Sequence, residues 1–323
     1  MSASSHSGSL GLAEDQRIRG LRPPKGYVDP YKAHGSLLEQ ERRRNGAFEQ
    51  ALTVFLAGAE CPFTCSFCDL WKWTVDGATP AGALTAQLAS VLHAHAGPLP
   101  DRIKLYNASN FFDLRAVPHD DLAGMAQLAS SFGGVTVESH ASTIGPRVLT
   151  FAQDLTGRLE VAMGLETINP AAIAQLNKRL DLPRFDRAAA FLVDNDIDLR
   201  VFVLLGAPWV PADEAVASTV QTVEYAVARG ASVVSVIPVR GGNGEMERLQ
   251  AAGHFVPPTL VQLEMALDGC AQFANAVVTA DLWDVERLQS CEHCRPARIE
   301  RLRRLNETGR AGASVQCSMC STP

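Results

Sequence analysis

Six short apolar runs alternate along the chain with segments that have the apolar spacing of amphipathic helices. The strand candidates are residues 52–56, 102–106, 135–139, 159–165, 199–205 and 232–239. The helix candidates are residues 81–96, 120–131, 146–155, 170–180 together with 185–195, and 213–229. This alternation predicts an α/β fold with a parallel sheet covered by helices. Six such units fit a partial (β/α)6 TIM-type barrel, and a doubly wound open sheet is the structural alternative.

The flanks of the predicted barrel differ from it in composition. We expect an N-terminal extension at residues 1–45, the barrel at 46–245 and a small Cys-containing C-terminal extension at 246–323. Residues 1–9 are rich in Ser and Gly, which predicts local disorder rather than a secretory signal. All cysteines but Cys270 fall in tight groups at metal-ligand spacing. This grouping favours a reducing cytoplasm over a secreted disulfide scaffold.

The first cysteine group lies just after the first strand candidate. Cys61, Cys65 and Cys68 form the spacing C-x-x-x-C-x-x-C on a predicted strand-to-helix loop. Thiolates on such a loop can converge on one metal centre, and iron–sulfur clusters normally take one cysteine per iron. Three ligands would leave one iron open, as catalytic zinc sites keep an open position. The alternative is three small buried thiols without a shared function.

Polar, glycine-containing segments follow five further strand candidates, at residues 106–113, 138–140, 163–167, 205–209 and 238–243. In parallel α/β folds the ligand binds at the carboxyl ends of the strands. The sequence therefore predicts one common site there. Glu138, His140 and Glu166 are its candidate catalytic residues, and Lys178 and Arg240 are weaker candidates.

The cysteine loop resembles that of the radical S-adenosylmethionine (SAM) superfamily. The motif there is C-x-x-x-C-x-aromatic-C after the first barrel strand, and Phe67 takes the aromatic position. The resemblance implies a [4Fe–4S] cluster on Cys61, Cys65 and Cys68, with SAM bound to the open iron. One electron then cleaves SAM to methionine and a 5′-deoxyadenosyl radical that abstracts hydrogen from the substrate. A flavodoxin or ferredoxin is implied as the electron donor.

The resemblance extends to the cofactor pocket. Ala108, Ser109 and Asn110 take the position of a Gly-Gly-Glu segment that receives the amino group of SAM, although both glycines and the acid are missing. Residues 164–166 resemble the fourth-strand motif, which implies that Glu166 lies near the ribose or the substrate. The alternative for Glu166 is an acid that faces a helix dipole. The implied cofactor-binding set is Phe67, Ala108, Ser109, Asn110, Glu138, Glu166 and Arg240.

A narrower resemblance concerns residues 164–167, 176–179 and 204–211. They resemble the corresponding residues in the elongator-catalytic-subunit branch of the superfamily. Within that branch they are most similar to the radical SAM subunit of archaeosine synthase. That likeness implies a modified nucleoside, a tRNA or a small metabolite as substrate, presented by a partner protein. The net charge of −6 does not favour RNA binding by the whole chain. The alternative function is a non-enzymatic zinc or iron–sulfur module in a nucleic-acid or protein complex.

Two C-x-x-C pairs lie near the end of the chain, Cys291 with Cys294 and Cys317 with Cys320. Between them we expect an Arg-rich helix at residues 297–306, with a surface suited to an anionic group. The pairs permit a structural zinc, a second iron–sulfur cluster or free thiols. We also expect this segment to cover the open side of a six-unit barrel, whereas Cys270 belongs to a helix predicted at residues 260–277.

Overall fold

The computed structural model describes residues 4–310 and 312–320. One eight-stranded sheet curls into a partial barrel, with strands in the order of the chain. The strands are β1 Gly35–Arg42, β2 Phe48–Phe55, β3 Arg102–Tyr106, β4 Gly134–Glu138, β5 Arg158–Glu166, β6 Asp198–Leu205, β7 Ala231–Pro238 and β8 Val277–Ala280. Strand β1 is antiparallel to β2, and the other neighbours are parallel. Because the strand order never reverses, the sheet is not doubly wound.

Helices connect the strands and form the outer layer. Their bounds are α1 Ser4–Leu21, α2 Ala83–Ala94, α3 His119–Ala129, α4 Pro146–Gln153, α5 Pro170–Gln175, α6 Leu182–Asp194, α7 Ala215–Ala228, α8 Glu245–Ala251, α9 Leu260–Cys270 and α10 Arg295–Thr308. All six strands expected from the sequence are present, which confirms the partial barrel. No helix in the described part of the chain is long and apolar enough to span a membrane.

The two faces of the sheet differ because successive side chains of a strand point to opposite sides. On β3 and β4 the buried residues Ile103, Leu105 and Val137 belong to the apolar core that the helices cover. Residues of the opposite parity, such as Lys104 and Thr136, are also buried but polar. The core therefore lies between sheet and helices, and the concave face of the barrel is polar.

Ion pairs fill the concave face toward the amino ends of the strands. Glu160 is fully buried, and its Oε1 lies 2.8 Å from Nε of Arg200 and its Oε2 lies 3.0 Å from a guanidinium nitrogen of Arg43. Glu41 on β1 lies 2.8 Å from both Arg200 and Lys104. Buried charges are tolerated only when paired and hydrogen-bonded. This network therefore joins β1, β3, β5 and β6 from inside the barrel.

The N-terminal extension contains helix α1, Ser4–Leu21, and Ile18 of this helix is buried. The disorder expected at residues 1–9 stays a prediction from the sequence, and residues 1–3 lie outside the described residues. Strand β1 also lies in this extension. The charged side chains of Glu39 and Glu41 pair with Lys104 on the concave face.

The C-terminal extension adds one strand and one helix to the partial barrel. Helix α9 ends at Cys270 rather than at residue 277, and β8 then extends the sheet beyond residue 245. Helix α10 is longer than the predicted 297–306 and contacts both edge strands, β1 and β8, so it spans the opening between them. Its Leu302 is fully buried in the main core. The helix is thus part of the outer layer.

Two arginines of α10 do not form the anion-binding surface expected there. Arg298 and Arg301 are buried, and both guanidinium groups pair with the buried Glu264 of α9. The prediction is wrong for these residues because their charge is already neutralised inside the protein. Arg303 does remain exposed, where it pairs with Glu300 at 2.7 Å.

Candidate functional site

The cysteine loop follows β2 at the carboxyl end of the sheet, and two distant segments fix its backbone. The amide of Ser66 donates to the carbonyl oxygen of Leu176, 3.0 Å away. Nδ2 of Asn243, which follows β7, donates to the carbonyl oxygens of Ser66 at 2.8 Å and of Cys68 at 3.1 Å. These bonds hold the loop in one conformation without involving a thiol.

Helix α1 contacts the same loop through Asp15, a residue that the sequence analysis did not identify. Its buried carboxylate accepts from Oγ1 of Thr64 at 2.5 Å and from Nδ2 of Asn177 at 2.9 Å, and it pairs with Arg179. Burial alone would raise the pKa of Asp15, but the hydrogen bonds from Thr64 and Asn177 and the charge of Arg179 lower it. The loop is therefore held from the N-terminal side by an ionised carboxylate.

The three thiols of the loop are partly buried and close enough for their charges to interact. Burial raises the pKa of Cys61, Cys65 and Cys68, that of Cys68 to about 12, and the nearby Lys178 opposes this effect. Asn110 donates from Nδ2 to Sγ of Cys61 across 3.4 Å. Buried thiols such as these stay protonated without a metal, whereas a coordinated metal deprotonates them outright. Three cysteines suit a metal centre by their chemistry. Among the described residues, however, the cysteine sulfurs that lie within 4.8 Å of one another are those of the C-terminal group, so convergence of the three loop thiols stays a prediction from the sequence.

Lys178 connects the cysteine loop to the end of β5. Its ammonium pairs with the buried Glu166 and lies 5.9 Å from the ring centroid of Phe67. Burial would lower the pKa of Lys178, but the neighbouring Glu166 raises it, so the amino group of Lys178 stays protonated. A Cβ at Gly164 would overlap both charged groups. A larger residue at this position would therefore displace the ends of these two side chains.

Glu138 reaches the segment that follows β3. Its Oε1 accepts from the backbone amides of Asn107 and Ala108, each 3.1 Å away. Burial raises the pKa of Glu138 to about 7, although the two amides favour the ionised form. Ala108 has φ of 55°, a left-handed conformation. Among the described residues that flank it, Nδ2 of Asn107 and Oγ of Ser109 are buried without a hydrogen-bond partner.

His140 is buried and fully hydrogen-bonded. Nε2 lies 3.1 Å from the carbonyl oxygen of Lys178, and Nδ1 accepts from the amide of Ser142 at 3.1 Å, which assigns the proton to Nε2. Its own amide donates to Oδ1 of Asn110 at 2.9 Å. Burial and the charge of Lys178 lower the pKa of His140 to about 3. The geometry makes His140 a neutral residue that positions Asn110 and Lys178.

The structure brings most of the predicted site residues to one edge of the sheet, but Arg240 interacts elsewhere. Its guanidinium lies 3.1 Å from Oδ2 of Asp281 and donates to the carbonyl oxygen of Trp283. Both partners belong to the segment after β8. Cofactor binding by Arg240 therefore remains a prediction from the sequence.

The C-terminal cysteines converge separately from this site. The four sulfur atoms of Cys291, Cys294, Cys317 and Cys320 all lie within 4.8 Å of one another. Three of these residues are partly exposed and Cys294 is buried. The two C-x-x-C pairs thus form one group, as their spacing predicts for a metal site.

The pKa of Glu138 has a measurable consequence for stability. An acid with a pKa of about 7 in the folded protein and about 4.5 in the unfolded chain favours folding most below pH 4.5. Its contribution is then lost as the pH rises through 7, by roughly 3 kcal/mol. Urea denaturation at pH 5 and pH 8 measures the free energy of unfolding of the wild type and of Glu138→Gln. We expect the loss between the two pH values in the wild type only. Parallel pH dependences would contradict the raised pKa.

One comparison with a solved structure supports the fold. The crystal structure of Streptococcus suis SuiB bound to precursor peptide SuiA aligns over 71% of this chain and 48% of SuiB, with 13% identity and a TM-score of 0.51. Archaeal Methanocaldococcus infernus Elp3 aligns over 64% of this chain and 51% of Elp3, with 11% identity and a TM-score of 0.47. SuiB is also known bound to S-adenosylmethionine.

A third structure is coproporphyrinogen III oxidase (HemN) from Escherichia coli, which is described as a radical SAM enzyme. It aligns over 65% of this chain and 49% of its own, with 13% identity and a TM-score of 0.44. This chain spans about half the length of each of these three proteins. No protein-family model and no curated protein sequence matches it. At this level of identity the likeness to SuiB defines the fold, a partial α/β barrel.

Proposed function

We propose that this chain is a radical SAM enzyme in which Cys61, Cys65 and Cys68 hold a [4Fe–4S] cluster with one iron open to SAM. The observation that carries the proposal is the three-cysteine loop at the carboxyl end of the first parallel strand of a partial barrel. When bound and reduced, the cluster supplies the electron that cleaves SAM to methionine and a 5′-deoxyadenosyl radical, which takes a hydrogen atom from the substrate. The fold shared with SuiB, which binds SAM, supports this function.

The residues around the loop fit such a cluster. Asn110 directs an N–H group at Sγ of Cys61, and hydrogen bonds to ligand sulfurs tune iron–sulfur clusters. The ammonium of Lys178 offsets part of the negative charge that three thiolates bring to the site. Asn243 and Asp15 fix the loop through groups that are not ligands. The ligands would therefore be held in place before the cluster binds.

For the amino group of SAM we propose Glu138 as the acceptor. The segment of Ala108 to Asn110 lacks the acid expected from the family motif, and Glu138 brings a carboxylate to it from the next strand. The buried, unsatisfied Nδ2 of Asn107 and Oγ of Ser109 lie among the described residues of the same segment. Buried polar atoms normally have partners. These two atoms are therefore proposed as further hydrogen-bond partners for SAM.

Glu166 is proposed to bind the ribose of SAM or the substrate. It lies at the carboxyl end of β5, and its ion pair with Lys178 fixes the position of its carboxylate. An ionised carboxylate accepts hydrogen bonds from hydroxyl groups. The electron donor proposed is a flavodoxin or ferredoxin. For the substrate we propose a modified nucleoside, a tRNA or a small metabolite brought by a partner protein, on the sequence resemblance alone.

The test is SAM cleavage by anaerobically reconstituted, dithionite-reduced protein. We expect methionine and 5′-deoxyadenosine in equal amounts. Glu138→Gln should keep its iron but raise the KM for SAM roughly tenfold or more, because a charge-assisted hydrogen bond is lost. Glu300→Gln, a change at an exposed helix position, is the matched control and should behave as wild type. Protein that carries its iron but never cleaves SAM would overturn the proposal and favour the non-enzymatic module.

A further inference from the structure

The C-terminal cysteines have the geometry of a site for one ion. Sγ of Cys291 lies 4.0 Å from Sγ of Cys317, and Sγ of Cys294 lies 3.7 Å from Sγ of Cys320. Zinc–thiolate bonds of about 2.3 Å in a tetrahedron separate the sulfurs by about 3.8 Å. In a [4Fe–4S] cluster each thiolate binds a different iron, so the ligand sulfurs lie farther apart than around a single ion. The observed distances match the edges of a single-metal tetrahedron.

We propose that Cys291, Cys294, Cys317 and Cys320 bind one structural zinc ion that fastens the chain after α10 to the start of that helix. Four thiolates leave no open position, which is typical of structural rather than catalytic zinc. Tetrahedral sulfur sites take zinc or iron, and divalent zinc binds such ligands more tightly than ferrous iron does. The proposal is independent of the cluster at the N-terminal loop.

The surroundings of the group support a bound metal. Arg298, which is buried, donates from Nε to Sγ of Cys294 across 3.2 Å. Four thiolates around a divalent ion carry a net charge of −2, and a guanidinium beside one sulfur offsets part of that charge. Residues around a metal site commonly orient its ligands by hydrogen bonds, as Arg298 does here for Cys294. The carboxylate of Glu264 holds Arg298 in position from α9.

The chain after α10 has little else to hold it. None of the described residues in the range 312–320 is buried, so apolar packing contributes little there. Its other attachments are hydrogen bonds from two arginines of α10. Arg298 donates to the carbonyl oxygen of Val315 at 3.3 Å, and Arg301 donates to those of Ala313 at 3.0 Å and Gly312 at 3.3 Å. A metal bond to Cys317 and Cys320 would add the missing attachment. A bound ion would thus explain how residues 312–320 keep one conformation at the surface.

Metal analysis of the full-length protein tests the proposal. We expect one zinc per chain in addition to the iron of the N-terminal loop. Cys317→Ala/Cys320→Ala should lose that zinc, keep its iron and become at least tenfold more sensitive to proteolysis within residues 310–320. These two cysteines are partly exposed, so their removal leaves the core intact. The matched control, Cys61→Ala/Cys65→Ala/Cys68→Ala, should keep the zinc and lose the iron.

Three results would overturn the zinc assignment. The first is one zinc per chain retained in Cys317→Ala/Cys320→Ala. The second is loss of iron instead of zinc from that variant, which would indicate a single iron or a second cluster. The third is a wild-type protein, purified under reducing conditions, in which the four thiols are free for alkylation and no metal is present. Substitution with cobalt gives a further check, because tetrahedral cobalt thiolates have characteristic visible bands.

Discussion

Replacing Cys61, Cys65 and Cys68 with alanine is expected to remove about four iron atoms per chain and to abolish reductive cleavage of SAM. The reason is that a cubane held by three thiolates has no other protein ligand in the proposed site. The barrel should remain folded, because the loop is anchored by Asn243 and by backbone bonds rather than by its thiols. Iron and sulfide analysis measures the cluster content, circular dichroism measures folding, and an assay for 5′-deoxyadenosine measures SAM cleavage.

The control for this experiment uses thiols from elsewhere in the chain. Cys317→Ala/Cys320→Ala removes two cysteines outside the loop and should leave the iron content unchanged. Iron that persists at about four atoms per chain in the loop variant would show that other residues bind it. Loss of iron from both variants would indicate that the two cysteine groups depend on each other.

Strands β2 to β7 could be predicted because their signal is local. On each strand the residues that face the helices are apolar, such as Ile103 and Leu105 on β3, and helical spacing follows within a few residues. Strand β1 has no such signal, since its Glu39 and Glu41 face ion partners on the concave side. Strand β8 has only four residues, and the first of them, Val277, belongs to the apolar pattern that predicts a helix at residues 260–277.

The candidate site likewise has one part that a local sequence pattern predicts and another that it does not. The cysteine loop could be identified because its three residues lie within one short segment. The contacts that hold it, from Asp15 and Asn243, cross 49 to 177 positions of the sequence and follow no local pattern. The pairing of Glu138 with Ala108 likewise depends on the neighbouring positions of β3 and β4 in the sheet. Such contacts exist only once the strand order is known.

Glu160→Ala is expected to lower the free energy of unfolding by about 3–5 kcal/mol, the largest stability effect that we predict. The change would leave the buried guanidinium of Arg200 without its Nε partner and would also remove a partner of Arg43. Glu300→Ala is the matched control, because it breaks an exposed pair with Arg303 and should cost about 0–1 kcal/mol. Urea denaturation at neutral pH compares the two variants.

The same carboxylate should make the protein sensitive to acid. Burial would raise the pKa of Glu160, but the charges of Arg200 and Arg43 lower it to about 2, against about 4.5 in the unfolded chain. A lowered pKa stabilises the fold above pH 4.5, and that contribution is lost as the pH falls toward 2. The loss is roughly 3 kcal/mol. Glu160→Gln should lack this part of the acid transition, and a midpoint of acid unfolding equal to that of the wild type would contradict an ionised Glu160 in the barrel.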